Sequence, residues 1–135
     1  MFALVSAVAA AATAILARIG IEHVPSNLAT AIRTTVVLAF ACGIVAFRGE
    51  YRSLPQIHVR SWVFLVLSGI ATGISWLAYF RALQMAPVSK VVPIDKLSLA
   101  LTIVLAALIL GESISWKVAV GIVLIVAGTL LTTLG

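Results

Sequence analysis

Side chains able to do chemistry are concentrated in residues 86–99, which read APVSKVVPIDKLSL. Asp95 and Lys96 follow closely after Pro93, and the chain then continues as an uncharged apolar run. A proline inside a helix removes a backbone hydrogen bond and pushes its ring against a carbonyl, so we expect a kink at Pro93. Charges beside such a kink at membrane depth are costly unless they are paired, which predicts a functional site. The alternative is that Asp95 and Lys96 cap a helix that begins late.

Arg33 is the one charged residue of another apolar run, at 28–47. It lies about seven residues past Ser26, the expected N-cap, and Asp95 lies about seven residues into its own helix, so both reach a depth of roughly 10 Å. Both helices enter the membrane from the same side, and we therefore expect an ion pair between Arg33 and Asp95. Lys96, about 100° further around its helix, should then point toward a solute pathway.

A third set of polar residues shares one face of the helix expected at 62–80, because its members recur at helical spacing. They are Ser68, Thr72, Ser75 and Tyr79. Trp76 lies beside them, and this seam ends near the position expected for Lys96. We expect the seam to line a pathway, with Trp76 and Tyr79 stacking on a substrate or holding a cation. The alternatives are hydroxyls that bond to their own backbone and aromatic rings that only pack.

The amino-acid composition indicates that these side chains belong to a membrane protein. The chain is 63% hydrophobic and only 10% charged, whereas a soluble domain has roughly a quarter of its residues charged. We therefore predict an all-α integral membrane protein. The net charge of +5 comes from basic residues scattered at the ends of apolar runs, which is typical of membrane flanks and excludes nucleic-acid binding.

Catalytic and metal-binding motifs are missing from the sequence. Cys42 is the single cysteine and the two histidines are isolated, which excludes a disulfide framework and a cysteine-based metal site. No glycine-rich phosphate loop, nucleophile elbow or HExxH motif occurs. We expect no enzyme activity, no cofactor and no metal. The opening MFALVSAVAAAATA lacks a basic n-region, so we interpret it as a mature span rather than a signal peptide.

Five apolar runs approach the roughly 20 residues that cross a bilayer, at 2–19, 28–47, 62–80, 88–110 and 116–134. Their connections are short except at 48–60, so consecutive helices should pack antiparallel within a single transmembrane domain, 1–135. Ser115 is the expected cap of the last helix. Gly121 and Gly128, one heptad apart on that helix, form a stripe that favours a dimer contact.

Several of these features occur together, in order, in one transporter family. They are Arg33, Ala86-Pro87, Val92-Pro93-Ile94-Asp95, Gly111-Glu112, and the run from Gly121 through Leu124-Ile125 to Gly128. Over essentially its whole length the chain resembles the EamA family of the drug/metabolite transporter superfamily. The resemblance implies a five-helix transmembrane bundle equivalent to one half of a ten-helix inverted-repeat transporter. Such a half needs a partner to complete a pathway.

The last run also resembles the final helix of the small multidrug resistance proteins, where a similar glycine stripe serves dimerisation. Those proteins bind drug and proton through a glutamate in their first span. Residues 2–19 contain no acid, so that coupling mechanism does not carry over.

The expected function is transport of small solutes across the inner (plasma) membrane, by alternating access in a dimer. One alternative is a membrane subunit that only packs against a larger partner. It is disfavoured because such a subunit has no need of the costly Arg33, Asp95 and Lys96. Another is flipping of a lipid-linked substrate, with the interior cations pairing with phosphate.

The flanking charges predict dual topology. On the side of Met1 lie Arg48, Arg52, Arg60 and Lys117; on the other lie Arg18, Arg81 and Lys90, with Arg33 and Lys96 inside spans but nearer that side. Orientation follows an excess of Lys and Arg in cytoplasmic loops, and neither side has one. We therefore expect two copies in opposite orientations, an antiparallel homodimer; the alternative is one orientation with a separately encoded partner.

Overall fold

The computed structural model describes residues 1–134, and within that range it is helical without a strand. Its five α-helices are α1 (Phe2–Gly20), α2 (Ser26–Arg48), α3 (Val59–Met85), α4 (Val88–Leu110) and α5 (Trp116–Leu134), and a 3₁₀ helix, Glu50–Gln56, follows α2. All five α-helices are long and apolar enough to cross a membrane. The predicted fold class, an all-α membrane protein with five spans, is confirmed.

Prolines and glycines set several helix ends. Pro87 is the N-cap of α4, in an extended conformation (φ −66°, ψ 151°), and its carbonyl accepts the first helical bonds from the N–H groups of Lys90 and Val91 at 3.0 and 3.1 Å. Gly49 (φ 69°) and Gly111 (φ 70°) end α2 and α4 in the left-handed region. Glycine enters that region without the steric cost that a Cβ would bring.

The cap predictions had mixed outcomes. Ser115 caps α5 as expected, with its Oγ accepting from the Val118 N–H at 3.4 Å. Ser26 as an N-cap is wrong, because α2 begins one residue earlier than that role requires: Pro25 is the N-cap and Ser26 is already helical. The alternative role of Asp95 as a late cap is also wrong, since α4 begins at Val88.

Two segments contain more helix than expected. α3 runs from Val59 to Met85 rather than 62–80, because helix ends near the membrane surface tolerate polar side chains that interrupt an apolar run. The connection 48–60, predicted as a loop, contains the 3₁₀ helix. That helix starts directly after the turn at Gly49, where Arg48 and Glu50 form an exposed ion pair at 3.5 Å.

The chain divides into two compact units, and the boundary between them falls inside α1 and at the end of α3. One unit, Leu16–Gln84, holds the last turn of α1, α2, the 3₁₀ helix and nearly all of α3. The other contains Met1–Ile15 and the chain from Met85 onward, in which α4 packs against α5. That a single domain spans 1–135 stays a prediction.

Candidate functional site

Arg33 is held by aromatic side chains of α3. Its Cζ lies 3.7 Å from the ring centroid of Trp76 and 5.5 Å from that of Phe80. Phe80 is only 2% exposed, and its ring meets Tyr79 edge to face, with centroids 6.3 Å apart and planes at 78°. We call Arg33, Trp76, Tyr79 and Phe80 the arginine–aromatic cluster.

The α-helical repeat explains why these rings meet. Trp76, Tyr79 and Phe80 stand at positions i, i+3 and i+4 and so share one face of α3. A guanidinium over an indole gains about 0.5–2 kcal/mol, more when water is excluded. This contact offsets part of the cost of placing a charge within a membrane-length helix. The cation over Trp76 is Arg33 of the same chain, and the role of Trp76 and Tyr79 in a solute pathway stays a prediction.

A second group of contacts joins the end of α3 to the connection between α1 and α2. Gln84 Nε2 donates to the carbonyl of Val24 at 2.7 Å and to that of Ile21 at 3.5 Å. Arg18 Nη1 donates to the carbonyl of Leu83. The last carbonyls of a helix have no partner inside it, so Arg18 satisfies one of them from outside. We call these contacts the Gln84 clamp.

The polar seam of α3 is mostly exposed. Ser68, Thr72 and Ser75 are exposed, and Tyr79 is half-buried. Thr72 Oγ1 donates to the Ser68 carbonyl at 2.9 Å, so the alternative of bonding within the helix holds for this residue. The role of the seam in a solute pathway stays a prediction.

Asp95 and Lys96 form an ion pair with each other. Asp95 Oδ2 lies 3.6 Å from Lys96 Nζ, and the side chains are 38% and 48% exposed, respectively. This contact was not expected from the sequence, because adjacent residues of a helix point about 100° apart and only the length of the lysine side chain lets them meet. Arg33 and Asp95 belong to different units, and their ion pair stays a prediction.

α4 remains helical through Pro93 and packs against α5 at that position. The carbonyl of Pro93 accepts a hydrogen bond from Thr129 Oγ1 of α5 at 3.2 Å, and Thr129 is buried. The expected kink at Pro93 is not tested by these contacts. On α5, Gly121 is half-buried and Gly128 exposed. A Cβ built at either would meet no atom of a neighbouring side chain or helix within 4 Å, and the dimer contact stays a prediction.

Sequence reasoning missed four contributors to these contacts: Phe80, Arg18, Gln84 and Thr129. Phe80 could have been found, because it stands four residues after Trp76. The other three act through backbone carbonyls of distant segments, and no spacing in the sequence indicates such partners. No group of three or more His, Cys, Asp or Glu that could hold a metal occurs in residues 1–134.

Comparison with known proteins agrees with this membrane architecture. A model of the EamA-like transporter family matches residues 1–134. A Sinorhizobium protein described as an uncharacterized transporter in the cobO 3′ region is 45% identical over 130 residues, which cover 96% of this chain and 92% of that protein. No solved structure matches the chain significantly. The chain is therefore a multi-pass membrane protein that belongs to the EamA-like transporter family.

Proposed function

We propose that this chain transports small solutes across the inner (plasma) membrane by alternating access, as an antiparallel homodimer. The observation that carries the proposal is the Arg33 guanidinium held over Trp76 in membrane-length helices. A subunit that only packs gains nothing from an interior charge that must be stabilised. A transporter needs such a group, because solute sites lie near the midplane of the bilayer.

The family and the relative support transport over scaffolding. The relative is described as a transporter, and nearly its whole length aligns with this chain. A pathway built at the interface of two repeats requires a second five-helix half, and a second copy in the opposite orientation supplies one. Gly121 and Gly128 provide the surface on which backbones can approach closely.

Uptake into proteoliposomes tests transport. Purified chain is reconstituted and assayed with radiolabelled amino acids, organic acids and quaternary amines, beside empty liposomes. We expect uptake of at least one class, which falls to background in Arg33→Gln and is strongly reduced in Asp95→Asn. Arg81→Gln is the matched control, since Arg81 is exposed on the same helix as the cluster. Uptake equal to empty liposomes for every class would contradict the proposal.

Lipid flipping is a second candidate, favoured by the cation of Arg33 within a membrane-length helix, which could pair with a phosphate. The same liposomes, prepared with a fluorescent phospholipid in both leaflets, are treated with dithionite. A transporter of soluble solutes leaves about half of the signal protected, because dithionite reaches only the outer leaflet. Complete bleaching that depends on Arg33 would assign the protein to lipid flipping instead.

A further inference from the structure

The geometry points to an oxyanion site at Arg33: we infer that the solute carries a carboxylate or phosphate group that binds the in-plane N–H edge of this guanidinium. The inference rests on the proposed transport function and names its substrate class. Three features of the unit Leu16–Gln84 support it: the stacking of Arg33, the number of its donors and the charge balance of the surrounding helices.

Stacking orients Arg33 for recognition. The Trp76 ring covers one face of the guanidinium at 3.7 Å, and Phe80 lies 5.5 Å away. The five N–H donors of a guanidinium lie in its plane, so aromatic contacts over its face do not compete with hydrogen bonds at its edge. A planar fork fixed in this way matches two oxygens of a carboxylate or phosphate, and it loses little side-chain entropy on binding.

Arg33 has more donors than one partner can use. Within residues 16–84, Arg18 and Gln84 donate hydrogen bonds to backbone carbonyls of distant segments. A guanidinium has five N–H donors and one edge takes two oxygens, so a carboxylate or phosphate can bind Arg33 while another edge is engaged.

The charge balance of the unit favours an anion. Residues 16–84 contain six arginines and no lysine, against two acids, Glu22 and Glu50. Glu50 pairs with Arg48 in the turn after α2, and Glu22 precedes α2. Neither α2 nor α3 contains an acidic residue. A cation with no carboxylate in its own pair of helices attracts an anionic group over a neutral or cationic one.

Trp76 makes the site measurable in the intact chain. Trp62→Phe and Trp116→Phe together leave Trp76 as the single tryptophan, in contact with Arg33. This variant, in neutral detergent at constant ionic strength, is titrated with sodium acetate or inorganic phosphate against chloride. Acetamide, of similar shape to acetate but neutral, is the control solute. Reconstitution of the single-tryptophan variant in phosphatidylcholine, with or without phosphatidylglycerol, distinguishes binding of a soluble oxyanion from binding of a lipid phosphate.

We expect a saturable change in Trp76 fluorescence with acetate or phosphate and none with acetamide. Arg33→Gln should abolish the change, Arg33→Lys should weaken binding about tenfold because the fork is lost, and Arg81→Gln should leave it unaltered. Circular dichroism confirms that each variant is folded. A response only to phosphatidylglycerol keeps the oxyanion site but assigns it to lipid. The inference is overturned if no oxyanion gives a saturable response, or if the response persists in Arg33→Gln. Uptake of neutral or cationic solutes in the proteoliposome assay would then still support transport.

Discussion

The guanidinium of Arg33 and the indole of Trp76 are close enough to stabilise each other in the folded chain. A double-mutant cycle of Arg33→Gln and Trp76→Leu should give a coupling free energy of about 1 kcal/mol, because both single variants remove the same contact. The measurement is chemical unfolding in mild detergent, followed by circular dichroism. Trp62 is exposed and lies on the same helix as Trp76, so Trp62→Leu should show no coupling to Arg33→Gln. A coupling free energy near zero between Arg33→Gln and Trp76→Leu would contradict the contact.

A double-mutant cycle also tests the predicted ion pair of Arg33 with Asp95. The double variant Arg33→Gln, Asp95→Asn should lose less free energy of unfolding than the two single variants lose in sum. Each single variant removes one partner and leaves the other charge uncompensated. A parallel cycle of Asp95→Asn with Lys96→Gln measures the coupling of Asp95 to Lys96, whose Nζ lies 3.6 Å from Asp95 Oδ2. If Asp95 couples only to Lys96 and not to Arg33, the pairing of Arg33 with Asp95 is wrong.

Sequence reasoning found Arg33, Trp76 and Tyr79 but not their arrangement. Helical spacing shows which residues of α3 share a face, and it placed Tyr79 and Trp76 close together. It does not show how α2 is rotated against α3, and that rotation brings Arg33 over Trp76. Because contacts between helices depend on such rotations and on backbone carbonyls, Gln84 and Thr129 could not be predicted.

At the scale of helices, one hydrogen bond from a buried threonine joins α5 to α4. Thr129→Val keeps the shape of the side chain and removes the donor to the Pro93 carbonyl. We expect a loss of about 0.5–1.5 kcal/mol in the free energy of unfolding, the range for interhelical hydrogen bonds in membranes. Thr132→Val is the control, because Thr132 is exposed and bonds only within α5. Equal effects of the two variants would show that the interhelical bond contributes nothing.

The turn after α4 depends on a left-handed residue. Gly111→Ala should destabilise the chain by about 1 kcal/mol, because φ is 70° there and a Cβ disfavours that region. Gly43→Ala is the matched control: Gly43 lies inside α2 with nothing within 4 Å of a built Cβ, so alanine should be neutral or stabilising. The comparison is made by thermal unfolding, and a neutral Gly111→Ala would contradict the role of this turn.

Helix positions were the most predictable feature of the chain. α4 and α5 have the bounds expected from their apolar runs, because a proline, a glycine and a serine mark their ends. α3 was underestimated because hydropathy detects only the apolar part of a helix. Backbone hydrogen bonding continues to Met85, past Arg81, where side chains no longer need to be apolar.

For the whole molecule, dual topology is the sharpest prediction. Two reporters are fused separately after the last residue, an alkaline phosphatase active only outside the cytoplasm and a fluorescent protein that matures only inside. The near balance of flanking Lys and Arg predicts comparable signals from both. Adding two lysines to the 3₁₀ segment Glu50–Gln56 should shift the population to one orientation. A strong signal from only one reporter in the parent chain rules dual topology out and favours a separately encoded partner.

The Gln84 clamp has a consequence for biogenesis. Its donors and acceptors all lie between Arg18 and Gln84, so nothing translated later is needed to form it. The end of α1 and the end of α3 can therefore make these contacts before α4 and α5 are complete. Residues Met1–Ile15, which include most of α1, belong to the unit of α4 and α5, so that unit can form only after the last hairpin has been synthesised.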